Sequence, residues 1–156
     1  MTQEEKLLLF KDLCARFPYG VKVWYNGASY VVPTINVEKE EIHIKSDATA
    51  IVGWWHSIEH IKPYLRSMSS MTEEEVKEFN TLVGYEEKDE WIRCNNICGS
   101  YGINIIGCSD MVDWLNQHHF DYRGLIPMGL ALEAPEGMYE NTMTRNGHLT
   151  ITTARI

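Results

Sequence analysis

The feature that most constrains this fold is a run of short alternating segments between Val21 and Leu65. Val21, Val23 and Tyr25 alternate with Lys22 and Trp24, and Asn26-Gly27 follows at once. Alternation with period two marks a half-buried strand. An Asn-Gly pair accepts the positive φ angles of a tight hairpin turn. Tyr30, Val31 and Val32 read as the return strand. Pro33 limits that strand or places it at an edge, because proline has no N–H for a ladder. Thr34 to Val37 and Glu41 to Lys45 form a second hairpin around an acidic turn, with Ile42 and Ile44 on one face and His43 and Lys45 on the other. Ala48 to Trp55 reads as a further strand. Ser57 to His60 makes one helical turn before Ile61 to Leu65. Five short strands in so little chain predict a small, strongly bent barrel of SH3-like type. A twisted meander gives the same pattern.

Helices flank this region. Thr2 with Glu5 is a capping box, in which a hydroxyl and a carboxylate each satisfy an orphan backbone N–H. Leu7, Leu8, Phe10, Leu13 and Cys14 then recur at helical spacing, so a helix spans 3–16 and Phe17-Pro18-Tyr19-Gly20 ends it. Ser67 to Met71 reads as a linker. Thr72 with Glu75 repeats the capping box and opens a helix to about Leu82, with Val76, Phe79 and Val83 on its buried side. Trp91 to Arg93 and Tyr101 to Ile106 read as strands. Ser109 or Asp110 caps a helix to His118, whose apolar face is Met111, Val112, Trp114 and Leu115. Asp121 caps a short turn, Pro127 forbids a long helix, Gly129 suits a stop, and Leu130 to Leu132 pack back. Leu149 to Thr152 reads as a last strand or as disorder. The fold class is α+β: an N-terminal helix and a small SH3-like barrel over 1–66, a mostly helical segment over 67–138 that packs on it, and a tail over 139–156.

Charge separates the halves. Residues 1–70 carry eight basic and eight acidic side chains, whereas residues 71–156 carry six and fourteen, which accounts for the whole net charge of −8. Nucleic-acid binding depends on neutralised phosphates, so that balance disfavours it. The acidic stretch 73–90 could face a basic partner or imitate nucleic acid, but it reads first as a solvated helix and loop. A chain of 156 residues with seventeen aromatics supplies a core without staples. No apolar run approaches the ~18 residues of a spanning helix, and MTQEEKLLLFKDL has acids where a signal peptide has bases. The expected setting is cytoplasmic and reducing, with Cys14, Cys94, Cys98 and Cys108 as free thiols.

Four constellations could carry chemistry. Cys94, Cys98 and Cys108 with His118 and His119 are permissible zinc ligands, but the spacing is not that of paired CxxC motifs. His56 and His60 would share a face only on a helix that Pro63 makes too short. His118, His119 and Asp121 could do acid–base work, yet no nucleophile motif accompanies them, and histidines at a helix C-terminus already suit its dipole. The fourth is aromatic. Trp24, Tyr25, Tyr30, Trp54, Trp55 and Tyr64 fall in the barrel, where exposed aromatics of small β folds bind peptides or nucleic acids; the bland alternative is that they pack beneath the first helix. Trp24, Trp54, Trp55, His118, His119 and Asp121 are therefore the candidate ligand-binding residues. No catalytic residue, metal site or cofactor is assigned, and no phosphate-binding or nucleophile-elbow motif is present.

KDLCARFPYGVKV (11–23), IEHIKPYLRSMSSMTEEE (58–75) and DWLNQHHFDYRGLIPMGLALEAPEGMY (113–139) together resemble a protein family of gut anaerobes and their phages and mobile elements, one without an assigned activity. Ser67 departs from a proline expected there and should loosen the linker. The resemblance implies context only: a small intracellular accessory protein, phage-related, with no functional residue to carry over. The function expected is a non-enzymatic binding or regulatory module acting on a protein or small-molecule partner. The competing readings are a small enzyme or metalloprotein using His118, His119 and Asp121, and a nucleic-acid-binding module. The most informative structural observation would be a concave site that gathers Trp54 or Trp55 with any of the six histidines.

Overall fold

The computed structural model describes residues 1–46, 53–83 and 105–139. Helix α1 spans Gln3–Arg16, and both arms of the Thr2/Glu5 capping box are made. Leu9, Phe10 and Leu13 are its buried apolar residues, while Leu7, read as part of the apolar face, lies exposed. Burying Leu9 and Leu13 each contributes roughly 1.5–3 kcal/mol.

Six strands follow in one mixed sheet: β1 (Lys22–Tyr25), β2 (Ala28–Asn36), β3 (Glu41–Lys45), β4 (Gly53–Ser57), β5 (Lys62–Leu65) and β6 (Leu132–Glu133). Their order is β4-β3-β2-β1-β5-β6. All neighbours are antiparallel except β5 and β6. Asn26 and Gly27 take φ angles of 45° and 86°, the turn their sequence demands. Pro33 corrects an expectation. It lies inside β2, between two paired strands, and not at an edge. The β2–β3 register shifts between Val31 and Thr34, and this irregularity takes the proline out of the ladder.

The expected barrel is not closed. The free edge of β5 is occupied by β6, and β4 stands at the opposite end of the sheet. The sheet is nonetheless strongly rolled. Three strand spacings would set β1 and β4 about 14 Å apart in a flat sheet. Yet the Tyr25 ring of β1 and the His56 ring of β4 lie 4.1 Å apart. Val23, Ile42 and Ile44 are fully buried inside the roll and meet Leu9 and Leu13 of α1. Leu125, Leu130 and Ala131 join the same core from the C-terminal segment.

Ser67 to Met71 is more ordered than a linker: Ser67 caps a 3-10 turn over Met68–Ser70. Helix α2 spans Glu73–Val83, with the Thr72/Glu75 box made. Helix α3 spans Ile105–Gln117. It starts earlier than its caps suggested, so Ser109 and Asp110 lie within it, and Ile105 and Ile106 are helical and not strand. Phe79, Trp114, Leu115 and Phe120 form a second core between α2 and α3. Val112, read as part of the apolar face of α3, is exposed. The expected strand at Trp91, the cysteines Cys94 and Cys98, and the strand at Leu149 lie outside the described residues. Among the described residues, no helix is long and apolar enough to cross a membrane.

Candidate interaction surface

The structure separates the six candidate residues into two places. Trp54 and Trp55 lie on β4, while His118, His119 and Asp121 lie in the interior at the end of α3. Trp24 lies on β1, half-buried, opposite Ser29 and Lys62. Among the described residues, no ring contact joins it to either of the other two tryptophans.

The interior group is held by structural bonds. Helix α3 ends in a Schellman motif: His119 N–H donates to Asn116 O and Phe120 N–H to Leu115 O. That motif needs a left-handed residue, and His119 supplies it at φ 58° without being glycine. Its side chain is 1% exposed and stacks on Tyr139 at 3.8 Å. His118 stacks on Trp114 at 3.9 Å, with its Nδ1 2.9 Å from Trp114 O. Asp121 accepts from the backbone N–H groups of Leu125 and Ile126, both at 2.8 Å, as its reading as a cap requires.

Beside them lies a polar group that the sequence reading missed. Arg16 donates from Nε and Nη2 to the two oxygens of Asp12, four residues earlier, and from Nη2 to Phe120 O; both side chains are fully buried. Arg123 approaches Asp12 at 3.3 Å. Arg66 pairs with both oxygens of Glu75 and lies over the Phe120 ring. Burial is the largest single influence on the Glu75 carboxylate and works against it, but the Arg66 hydrogen bond, the Thr72 N–H and the Arg66 charge together outweigh it and hold the pKa below its ordinary value. Burial, then the nearby Arg16 charge, push the His119 pKa down to about 3. The Tyr19 backbone pulls the other way, yet neither ring nitrogen closes a hydrogen bond. His119 is therefore neutral and out of reach of a substrate. Tyr139 donates its hydroxyl to Tyr64 O and accepts from Lys22 N–H, which pins the end of the described chain across β1 and β5.

The β4 surface has the opposite character. Trp54 is 54% exposed and Trp55 is 47% exposed. β4 pairs only with β3 among the described residues. The register sets His43 opposite Trp55 and Ile44 opposite Trp54. Directly opposed residues share a face, so Trp55 lies with His43 on the outer face. Trp54 and His56 lie with Ile44 and Ile42 on the inner face.

Two contacts brace side chains of this strand, Trp55 on the outer face and His56 on the inner. The His43 ring packs edge-on against Trp55 at 5.3 Å. It reaches that place by lying across Gly53: a Cβ there would sit 2.2 Å from its Cε1 and 2.6 Å from Ile44 O. Gly53 is thus required by the close approach of a side chain. On the inner face, Tyr25 supports His56 and is itself met edge-on by Tyr30 at 6.3 Å. Burial, with a smaller effect of His60, lowers the His56 pKa. Trp55 is therefore preorganised, so binding would cost it less rotamer entropy.

His56 on β4 and His60 in the following 3-10 turn do not share a helix face. Among the described residues, no three histidine, cysteine or acidic side chains gather as a metal site. An open depression of about 250 Å³ includes Ser67, Asp121, Pro127 and Glu133. It is smaller than ordinary small-molecule pockets, and both Asp121 oxygens are already engaged. The sequence pointed to Trp54 and Trp55, and to His56 and Tyr25 in other combinations, but His43 and Gly53 were missed. The alternation of Ile42, His43 and Ile44 was the available signal for His43.

No protein-family model matches this chain, and neither does any curated protein or solved structure.

Proposed function

We propose that this protein is a non-enzymatic binding module that grips an extended protein segment along the β4 edge. The observation that carries this reading is a pair of adjacent, half-exposed tryptophans, of which Trp55 is braced by His43, on a strand with one edge unpaired among the described residues. An incoming strand gains affinity from backbone hydrogen bonds and selectivity from alternate side chains. Trp54 and His56 would meet one face of it and Trp55 the other. An exposed, aromatic edge carrying neither lysine nor proline is also an aggregation hazard, which an intended partner removes.

On this reading the rolled meander is an SH3-like barrel left open at β4. The interior His118, His119 and Asp121 support the fold and do not contact the ligand. The setting is that implied by the family resemblance, an intracellular accessory protein of phages or mobile elements.

The test is selection from a random displayed-peptide library. Extended, β-prone peptides should bind, and Trp55→Ser should weaken them by at least about tenfold, the scale of a lost interface anchor. Selected peptides whose affinity is unchanged by Trp55→Ser and by Trp54→Ser would overturn the reading.

A further inference from the structure

We infer that the natural occupant of the β4 edge is a second copy of this chain, paired antiparallel through β4 about a two-fold axis at Trp55. This rests on the reading of β4 as a docking edge and names its partner. A two-fold axis perpendicular to paired antiparallel strands sets one residue opposite itself and preserves the faces of the sheet. Centring it on Trp55 is the register that pairs all five residues of β4. Trp55 then faces the second copy's Trp55 on the outer face, each braced by its own His43. Trp54 faces the second copy's His56 on the inner face, where both are aromatic.

The ends of the strand fit as well. Gly53 faces the second copy's Ser57. Both are small, which leaves room for the His43 ring that lies across Gly53. On the same face Lys45 adjoins Gly53, and Glu41 adjoins Ser57. Pairing therefore sets Lys45 of each copy in line with Glu41 of the other across the two small residues. The sequence Gly-Trp-Trp-His-Ser, with Lys45 and Glu41 behind its two ends, is complementary to itself when reversed. The opposing force is the net charge of −8 on each copy, which salt screens. Association should tighten as salt rises.

Sedimentation equilibrium of the intact chain in about 0.5 M salt, where screening is strong, measures this. Mass should rise toward twice the monomer with concentration, and Trp55→Arg should hold it at the monomer. A site-directed cross-link keeps the test sharp. Trp55→Cys should form a covalent dimer on mild oxidation, while Val37→Cys, more exposed but in the β2–β3 turn and not on β4, should not exceed the wild type. Monomer mass up to about 1 mM, well above a micromolar dissociation constant, or equal cross-linking of the two variants, would overturn the inference. If the chain is monomeric yet selected peptides still need Trp55, the second copy is excluded and the docking edge stands. If neither partner depends on Trp55, both readings fall.

Discussion

The β4 edge and the end of α3 reverse the usual placement of side chains. The edge leaves two tryptophans about half in water, while the interior holds Asp12, Arg16, His118, His119 and Asp121 nearly dry. Buried polar groups and exposed large apolar groups are the informative exceptions in a fold. The buried set is accounted for mostly by hydrogen bonds that tie α1, β5 and the Schellman turn together. The exposed set has no such internal account. The difference teaches that the residues with the most chemistry here are structural, and those with the least are the surface available to a partner.

The largest expected effect breaks the buried side of that comparison. Asp12→Ala leaves the Arg16 charge buried with only the Phe120 carbonyl, and such losses cost about 3–5 kcal/mol. Urea denaturation should show it, and Asp12→Leu with Arg16→Met should recover much of the loss. A change below about 0.5 kcal/mol, the range of ordinary surface substitutions, would show that the pair does not hold α1.

A second effect concerns pH. The folded His119 pKa lies near 3, below the unfolded value of 6.5. The unfolded chain therefore takes up the proton first as pH falls. The stability that neutral His119 contributes is full above about pH 6.5 and is lost as pH falls toward 3, at up to about 1.4 kcal/mol per pH unit. The carboxylates titrate in the same range, so the informative quantity is the difference from His119→Phe. Wild type should lose more stability between pH 7 and pH 5 than the variant. Parallel curves would mean that His119 is hydrated in the folded state.

Much of the frame was legible in the sequence. Capping boxes at Thr2 and Thr72, Asn26-Gly27, and the Ile42/Ile44 face are local signals, and each element formed where its residues ask. What was not legible depends on contacts distant in the chain. The Arg16–Phe120 bond spans 104 residues, and nothing at Asp12 distinguishes it from a solvated acid on a helix. The left-handed His119 breaks the expectation of glycine at a helix end, so the Schellman motif was hidden. Pro33 misled because its penalty was met within β2 itself, where three steps from Val31 to Thr34 are set against two on β3. Trp54 and Trp55 were visible, but the support of β4 depends on the register that sets His43 against Trp55 and on the roll of the sheet, which brings Tyr25 to His56 across two intervening strands.

The central claim is that the β4 tryptophans serve association and not folding. The most direct test measures both properties of the Trp54→Ser, Trp55→Ser double variant. Its urea midpoint should differ from the wild type by no more than about 1 kcal/mol in stability, as expected for side chains half in water, while association is abolished. A loss of 3 kcal/mol or more, the scale of deleting a core aromatic, with association intact would contradict the account.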